Sequence, residues 1–230
     1  MYDLSQPLTD GMQTFPGDPE VRLSPAAAFE ADGYRVTELR CGSHAGTHVD
    51  APAHTEPNGK SLDAFPVDRF GLAAVRVDCR DLDARDPIPP ARVPDVDAEC
   101  VVFQTRWDDH WGTDRYLDHP YLAPDAARRC AERGYDVGID ALSPDPTPSP
   151  RADDEPTGVP AHHALLGADC LIFENLTGLE HAPRRFELRA YPLALGGDGA
   201  PVRAVGVASE SSLEPRVANG RPDAAADRHD

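Results

Sequence analysis

Residues 44–54 read His44-Ala45-Gly46-Thr47-His48-Val49-Asp50-Ala51-Pro52-Ala53-His54, three imidazoles and a carboxylate within eleven residues. A divalent ion needs that density of nitrogen and oxygen donors, whereas a solvated loop does not. A bare HxxxH is satisfied by a polar loop without metal, but Asp50 and His54 on the same even spacing turn the reading towards a metal site. Gly46, Thr47, Val49 and Pro52 all disfavour helix, so the stretch is expected to be extended. In an extended chain the even-numbered side chains share a face, which puts His48 and Asp50 within joint reach of one ion. His44 and His48 are too far apart for that, because four residues of straight strand span about 13 Å. The chain must therefore bend between them, and Gly46 sits where a bend costs least.

His44, His48 and Asp50 plus water would give the open coordination that a catalytic metal keeps. Two further residues need weighing. Glu174 ends an apolar run, where an acid is ordinarily solvated at a sheet edge, and His162 opens a short helix, where it would ordinarily face water.

The stretch from His44 to His54 resembles the HxGTHxDxPxH motif of the cyclase family, metal-dependent hydrolases that include bacterial kynurenine formamidases and isatin hydrolases. All of the motif's fixed positions are present. The segment from His162-His163-Ala164-Leu165-Leu166-Gly167 to Glu174-Asn175-Leu176 resembles the same family's second metal-binding segment. The resemblance implies two divalent ions per chain, Zn or Mn: one on His44, His48 and Asp50, with Asp50 bridging to a second held by His162, and Glu174 shared. It implies His54 as the general acid/base and leaves His163 without a matching role. It also implies that the loop Phe15-Pro16-Gly17-Asp18 folds over the metals with its aromatic on substrate, although kynurenine formamidases tend to carry Trp where this chain has Phe15. Arg106-Trp107-Asp108-Asp109-His110-Trp111-Gly112 resembles the family's Trp-Asp-x-x-Trp-Gly loop beside the substrate cleft, which gives Trp107 a supporting role there. The alternative is that the two tryptophans are only hydrophobic anchors.

Two divalent cations lower the pKa of a bridging water and polarise a carbonyl in the same pocket. An imidazole, with an unperturbed pKa near 6.5, takes the water's proton and returns it to the leaving nitrogen. The expected activity is therefore amide hydrolysis, with N-formylkynurenine as the leading small-molecule substrate. Opening of a cyclic amide, as in isatin hydrolases, is the neighbouring alternative. A non-catalytic metal-binding scaffold is the alternative of another class, and it would keep the ligands without needing His54. Neither a Gly-rich phosphate cradle nor GxSxG is present, so nucleotide and serine-hydrolase chemistry have no support.

The elements that must position these groups follow from pattern. Buried strands are expected at residues 73–78, 100–105, 136–140 and 170–173, from compact apolar runs. Others are expected at 2–8, 34–41, 191–195 and 202–207, with a short turn or helix over 61–72. The clearest helix runs over 124–133, with Pro124 at its start, Ala126, Ala127 and Cys130 on an apolar stripe and Gly134 as its stop. A second, shorter helix is expected at 161–167. Residues 86–94 and 144–160, rich in Pro and Asp, are expected to be loops, the latter exposed. The fold class is α/β. The resemblance specifies a single domain of the swivelling β/α/β type over residues 1–208, a mixed sheet with flanking helices, assembled as a homodimer or higher. Residues 209–230, polar and without periodicity, are expected to be a disordered tail.

At 230 residues the chain is long enough for one substantial core. Its formal charge of -18, with Lys60 the only lysine, would repel phosphate backbones and anionic lipid, so neither nucleic acid nor membrane is expected as a partner. Such a surface suits a halophile's cytoplasm, where salt screens self-repulsion; an acidic protein of an ordinary cytosol is the alternative. No apolar run is long enough to span a membrane and residues 1–4 lack signal-peptide character, which points to the cytoplasm. Cys41, Cys79, Cys100, Cys130 and Cys170 form no CxxC pair and are expected to be reduced thiols, largely buried and without chemistry.

Overall fold

The computed structural model describes residues 1–149 and 154–208. The expected tail, residues 209–230, therefore lies outside the described residues.

Strand β1 (Tyr2–Asp3) opens the chain, followed by an antiparallel hairpin of β2 (Arg22–Ala27) and β3 (Val36–Arg40) with the one-turn helix α1 (Phe29–Asp32) at its tip. Then come β4 (His48–Asp50), β5 (Gly71–Asp78), the short β6 (Pro87–Ile88), β7 (Cys100–Gln104) and the short β8 (Tyr121–Leu122). Helix α2 (Pro124–Glu132) leads into β9 (Asp136–Ile139), and helix α3 (Pro160–Leu166) into β10 (Ile172–Glu174). The strands β11 (Arg185–Arg189), β12 (Gly199–Pro201) and β13 (Val205–Val207) complete the order.

Nine strands form one mixed sheet in the order β1-β13-β11-β5-β7-β9-β10-β4-β12. Its centre, β5-β7-β9-β10, is parallel, and those strands carry the apolar runs that a sheet covered on both faces requires. One face packs under α2 and α3 with Val101, Phe103, Val137 and Ile139; the other buries Val102, Phe173, Leu176 and Phe186. Side chains of successive strand residues alternate faces, so Val101 and Val102 fall in different cores. The α/β class and the single mixed-sheet domain agree with the expectation.

α2 ends one residue before Arg133 and is followed by Gly134 at φ +67°, as its sequence implied. Several expectations change. Only three residues of the 44–54 stretch are strand, because Pro52–His54 turns into a 3-10 helix closed by His54 N–H donating to the Ala51 carbonyl. The bend between His44 and His48 does fall at Gly46, with φ +63°. Residues 191–195 are not a strand: Pro192, which has no N–H to donate, makes one isolated bridge to Val202. The strand expected over 202–207 is confined to β13, with β12 lying just before it. β2 and β11 had not been anticipated. Of the loop expected to be exposed at 144–160, the described part begins with Asp145, Pro146 and Thr147 buried.

Candidate metal centre

β4 is antiparallel to β10, with His48 paired to Glu174 and Asp50 to Ile172. Cross-strand partners share a face, so this register sets the Glu174 carboxylate beside the His48 imidazole, with Asp50 two residues along. β12 covers the other edge of β4, pairing Gly199 with Asp50. Close packing there is enforced: a Cβ on Gly199 would lie 2.7 Å from His44 Cε1 and 2.9 Å from the Val49 carbonyl.

His48, Asp50, His162 and Glu174 are all buried, so the solvated readings of His162 and Glu174 do not hold. His48 Nε2 lies 3.1 Å from Asp50 Oδ1 and 3.2 Å from Glu174 Oε2, and His162 Nε2 lies 3.5 Å from Asp50 Oδ2 and 3.3 Å from Glu174 Oε1. Yet His48 Nε2, Asp50 Oδ2 and Glu174 Oε1 have no hydrogen-bond partner; the other orphaned side-chain atom among the described residues belongs to His119. Buried polar atoms are normally paired, and leaving one unpaired costs about 1–3 kcal/mol. Two donors bound at about 2 Å to one tetrahedral ion are about 3.3 Å apart, which is the spacing these atoms keep. Ligand atoms of His44, His48 and Asp50, and those of Asp50, His162 and Glu174, cluster within 4.8 Å in two groups that share Asp50; a third, less buried group joins His44, His54 and Asp198 at the mouth. This donor set fits divalent ions.

The outward nitrogen of each imidazole in the two groups that share Asp50 is also occupied. His48 Nδ1 donates to the Gly46 carbonyl at 2.8 Å, His162 Nδ1 to Asp145 at 2.7 Å, and His44 Nε2 to Asp198 at 3.0 Å. Bonds of this kind fix the tautomer and aim the other nitrogen at a metal. Gly46 O also accepts from the side-chain amide of Asn175, whose own oxygen accepts from the Tyr116 hydroxyl at 2.9 Å.

Electrostatics favour positive charge here. Burial disfavours the His48 and His162 imidazoliums, yet the neighbouring carboxylates outweigh it and raise both pKa values. Burial likewise opposes the charged form of Asp50, but the surrounding imidazoles hold its carboxyl well below the usual range. His54 differs: partial burial lowers its pKa, with the His44 and His162 rings adding to the effect, so it is neutral and able to accept a proton near pH 7. Its ring lies at the mouth of the site, 4.0 Å between centroids from His44 and 5.5 Å from His162.

A cavity of about 190 Å³ opens over these groups, walled by Gln13, Thr14, Phe15, Leu142, Val159 and Asn175. Phe15, Ser143 and Val159 separate it from a second cavity of about 390 Å³. Phe15 lines both cavities, while Trp107 lines neither. Trp107 is buried in the core, its indole N–H donating to the Arg115 carbonyl and its ring packed edge-on against His110. The loop acts through Gly112 and Thr113 instead, which exchange hydrogen bonds with the Gln13 side chain and so tie down the wall carrying Phe15. His163 points away and meets Glu56 at 2.9 Å, more than half exposed.

Asp145 and Asp198 escaped the sequence reading. Asp198 follows Gly196-Gly197 and precedes Gly199, a flexible-looking turn whose acid gave no sign of returning to a histidine far back in the chain. The thiols Cys79, Cys130 and Cys170 are free, and burial pushes each up to about 12, which disqualifies them as nucleophiles. Cys100 is also free and buried, and Cys41 is free and half-buried.

The Cyclase family model matches residues 2–146. Kynurenine formamidase of Salinibacter ruber is 37% identical over 217 residues, covering 89% of this chain and 96% of that protein. Isatin hydrolase A of Labrenzia aggregata shares the fold, with a TM-score of 0.76 at 23% identity over 89% of this chain and 91% of that one. A structure described as a potential metal-dependent hydrolase with cyclase activity superposes with a TM-score of 0.71 at 26% identity, covering 89% and 96% of the two chains.

Proposed function

Because the chain belongs to the cyclase family, we propose that it is a metal-dependent amide hydrolase whose substrate is N-formylkynurenine, cleaved to kynurenine and formate. The observation that carries the reading is the convergence beneath a cavity of orphaned, buried ligand atoms on one imidazole, His48, and two carboxylates, Asp50 and Glu174, with the His162 imidazole facing both carboxylates. His44, His48 and Asp50 would hold one divalent ion, Asp50, His162 and Glu174 a second, with Zn or Mn suited to a donor set free of thiolate. Bound there, such ions supply a water of lowered pKa and polarisation of the formyl carbonyl.

The rest of the work falls to the chain. His54, neutral and at the mouth, accepts the proton of the attacking water at a ring nitrogen and delivers it to the departing aryl nitrogen. Phe15 offers a face for the substrate's aromatic ring, and the Gln13 bridge to Gly112 and Thr113 keeps that wall in place. His54 also groups with His44 and Asp198 as candidate ligand atoms, so a His54→Ala protein that keeps its metal but loses its rate is what separates catalysis from metal storage.

The same proposal includes a homodimer and a cytoplasmic location. The β2–β3 hairpin supports the first: it exposes Phe29, Tyr34, Val36 and Leu39, and an isolated two-stranded hairpin is marginal in water. Four buried free thiols accord with a reducing compartment. Among the described residues no helix is long and apolar enough to cross a membrane.

The test is a panel of formylated aromatic amines and cyclic amides, run on metal-defined protein. Preference for N-formylkynurenine supports the reading. Preference for the cyclic amide would move the assignment to lactam opening, and no turnover of either class would reject amide hydrolysis.

A further inference from the structure

Asp198 is an acid that lies within 4 Å of both His44 and His54 at the mouth of the site. One of its oxygens, Oδ2, lies 3.0 Å from His44 Nε2 and 3.6 Å from His54 Nδ1. The first distance is a hydrogen bond, and the second falls just outside hydrogen-bond range, a gap that a small ring movement would close. The two rings lie side by side at 4.0 Å, so a single carboxylate oxygen faces both. The backbone delivers it there: the Asp198 carbonyl accepts from Ala51 N–H at 2.8 Å, and Gly199 lets β12 pass against His44 where any Cβ would collide. The Ala51 bond matters doubly, since Ala51 begins the turn that carries His54.

We propose that Asp198 is a positioning residue for two neighbours at once, fixing the tautomer of the metal ligand His44 and the orientation of the proton carrier His54. A neutral imidazole has one N–H. With the His44 N–H at Nε2 given to Asp198, the lone pair is at Nδ1, the nitrogen that lies 2.7 Å from Asp50 Oδ1 inside the ligand cluster. With the His54 N–H at Nδ1 turned to the same oxygen, its lone pair is at Nε2, free to take a proton from the cavity. Removing Asp198 therefore loosens a ligand to one ion only and misaligns the base, whereas Asp145, bonded to His162, serves the other ion.

This inference rests on the binuclear reading above, and its test separates the two. The full chain is stripped with chelator and titrated with Zn²⁺ against a chromophoric competitor, as wild type, Asp198→Ala, Asp198→Asn and Asp145→Asn. Outer partners of ligand imidazoles are commonly worth 10–100-fold in metal affinity. Asp198→Ala is expected to weaken one of two ions by about that factor and leave the other within threefold. Asp198→Asn, whose amide oxygen still accepts from His44, is expected to recover most of that affinity. At saturating metal, Asp198→Ala is expected to lower kcat at least about tenfold with KM changed less than about threefold, since His54 moves protons and does not bind substrate. Equal weakening of both ions, or wild-type affinity together with wild-type kcat, overturns the inference. If the wild type takes up a single ion, the binuclear reading fails, and Asp198 is then judged on that ion: unchanged affinity in Asp198→Ala overturns its role and weakened affinity upholds it.

Discussion

Asp145 accepts twice from His162, once from the ring and once from the backbone N–H, and a third time from the Ala161 backbone N–H at the start of α3. The distances are 2.7, 3.0 and 2.8 Å, all buried. One carboxylate thus caps the helix and orients the candidate ligand His162 that the helix carries, so the loop before α3 and the candidate metal centre are mechanically one unit. Asp145→Ala leaves three buried N–H groups unsatisfied and is expected to cost at least about 3 kcal/mol, from about 1–3 kcal/mol per orphaned donor. Denaturant unfolding of the metal-free protein measures it. A loss below about 0.5 kcal/mol would mean that water reaches α3 and that the cap is dispensable.

Ligand and proton carrier should separate cleanly. Asp50 belongs to both ligand groups, so Asp50→Ala is expected to lose both ions and activity together. His54→Ala removes a group outside the buried cluster and is expected to keep both ions while turning over about 10² to 10⁴ more slowly. Elemental analysis and the rate of amide hydrolysis on both variants decide it. A His54→Ala protein without metal would make His54 a ligand, and one with full rate would assign the proton to another group.

What the sequence made legible, and what it hid, divides by range. His44, His48 and Asp50 were readable because they lie in one short stretch whose parity puts them together. The parallel core strands were readable from their apolar runs, and α2 from its Pro start and Gly stop. β11 went unread although Arg185-Phe186-Glu187-Leu188-Arg189 alternates with period two, the charges outward and Phe186 and Leu188 buried. Asp145 and Asp198 were invisible for a different reason. Each reaches its histidine by tertiary contact, across 17 and 154 residues, and an acid in a Pro- or Gly-rich loop looks solvated until the fold is known. Trp107 misled because a bulky ring at a strand end suits a cleft and a core equally; its buried N–H bond to Arg115 identifies the core.

The charge of -18 has a measurable consequence. The 40 Asp and Glu outnumber the 22 Lys and Arg by 18, so self-repulsion opposes the compact state. Since the Debye length falls from about 10 Å at 0.1 M salt to about 3 Å at 1 M, the midpoint of thermal unfolding is expected to rise with molar KCl. A series that is flat or falling from 0.1 to 2 M would remove the halophilic interpretation of the surface.

Asp140 gives the last prediction, and it concerns pH. Its carboxylate accepts from Thr105 N–H at 2.7 Å, Thr105 Oγ1 at 2.6 Å and Arg106 N–H at 2.9 Å. Complete burial outweighs these donors and pushes its pKa from 3.8 up to about 7. The folded chain therefore holds a proton between about pH 4 and 7 that the unfolded chain has released, and stability falls as pH rises through that window. Below it the group is protonated in both states and contributes no slope; above it the cost of the buried charge is fully present. A difference of about three pKa units is worth about 4 kcal/mol at most. Asp140→Asn abolishes the titration while keeping an oxygen for the Thr105 donors, though its amide N–H₂ then faces the Arg106 N–H. The variant is thus expected to be less stable than wild type at pH 4 and to gain on it steadily up to pH 7. Unfolding of both metal-free proteins from pH 4 to 8 measures the difference, in which titration of the metal ligands cancels. Parallel curves would show that Asp140 is already ionised at pH 4, held charged by its three donors.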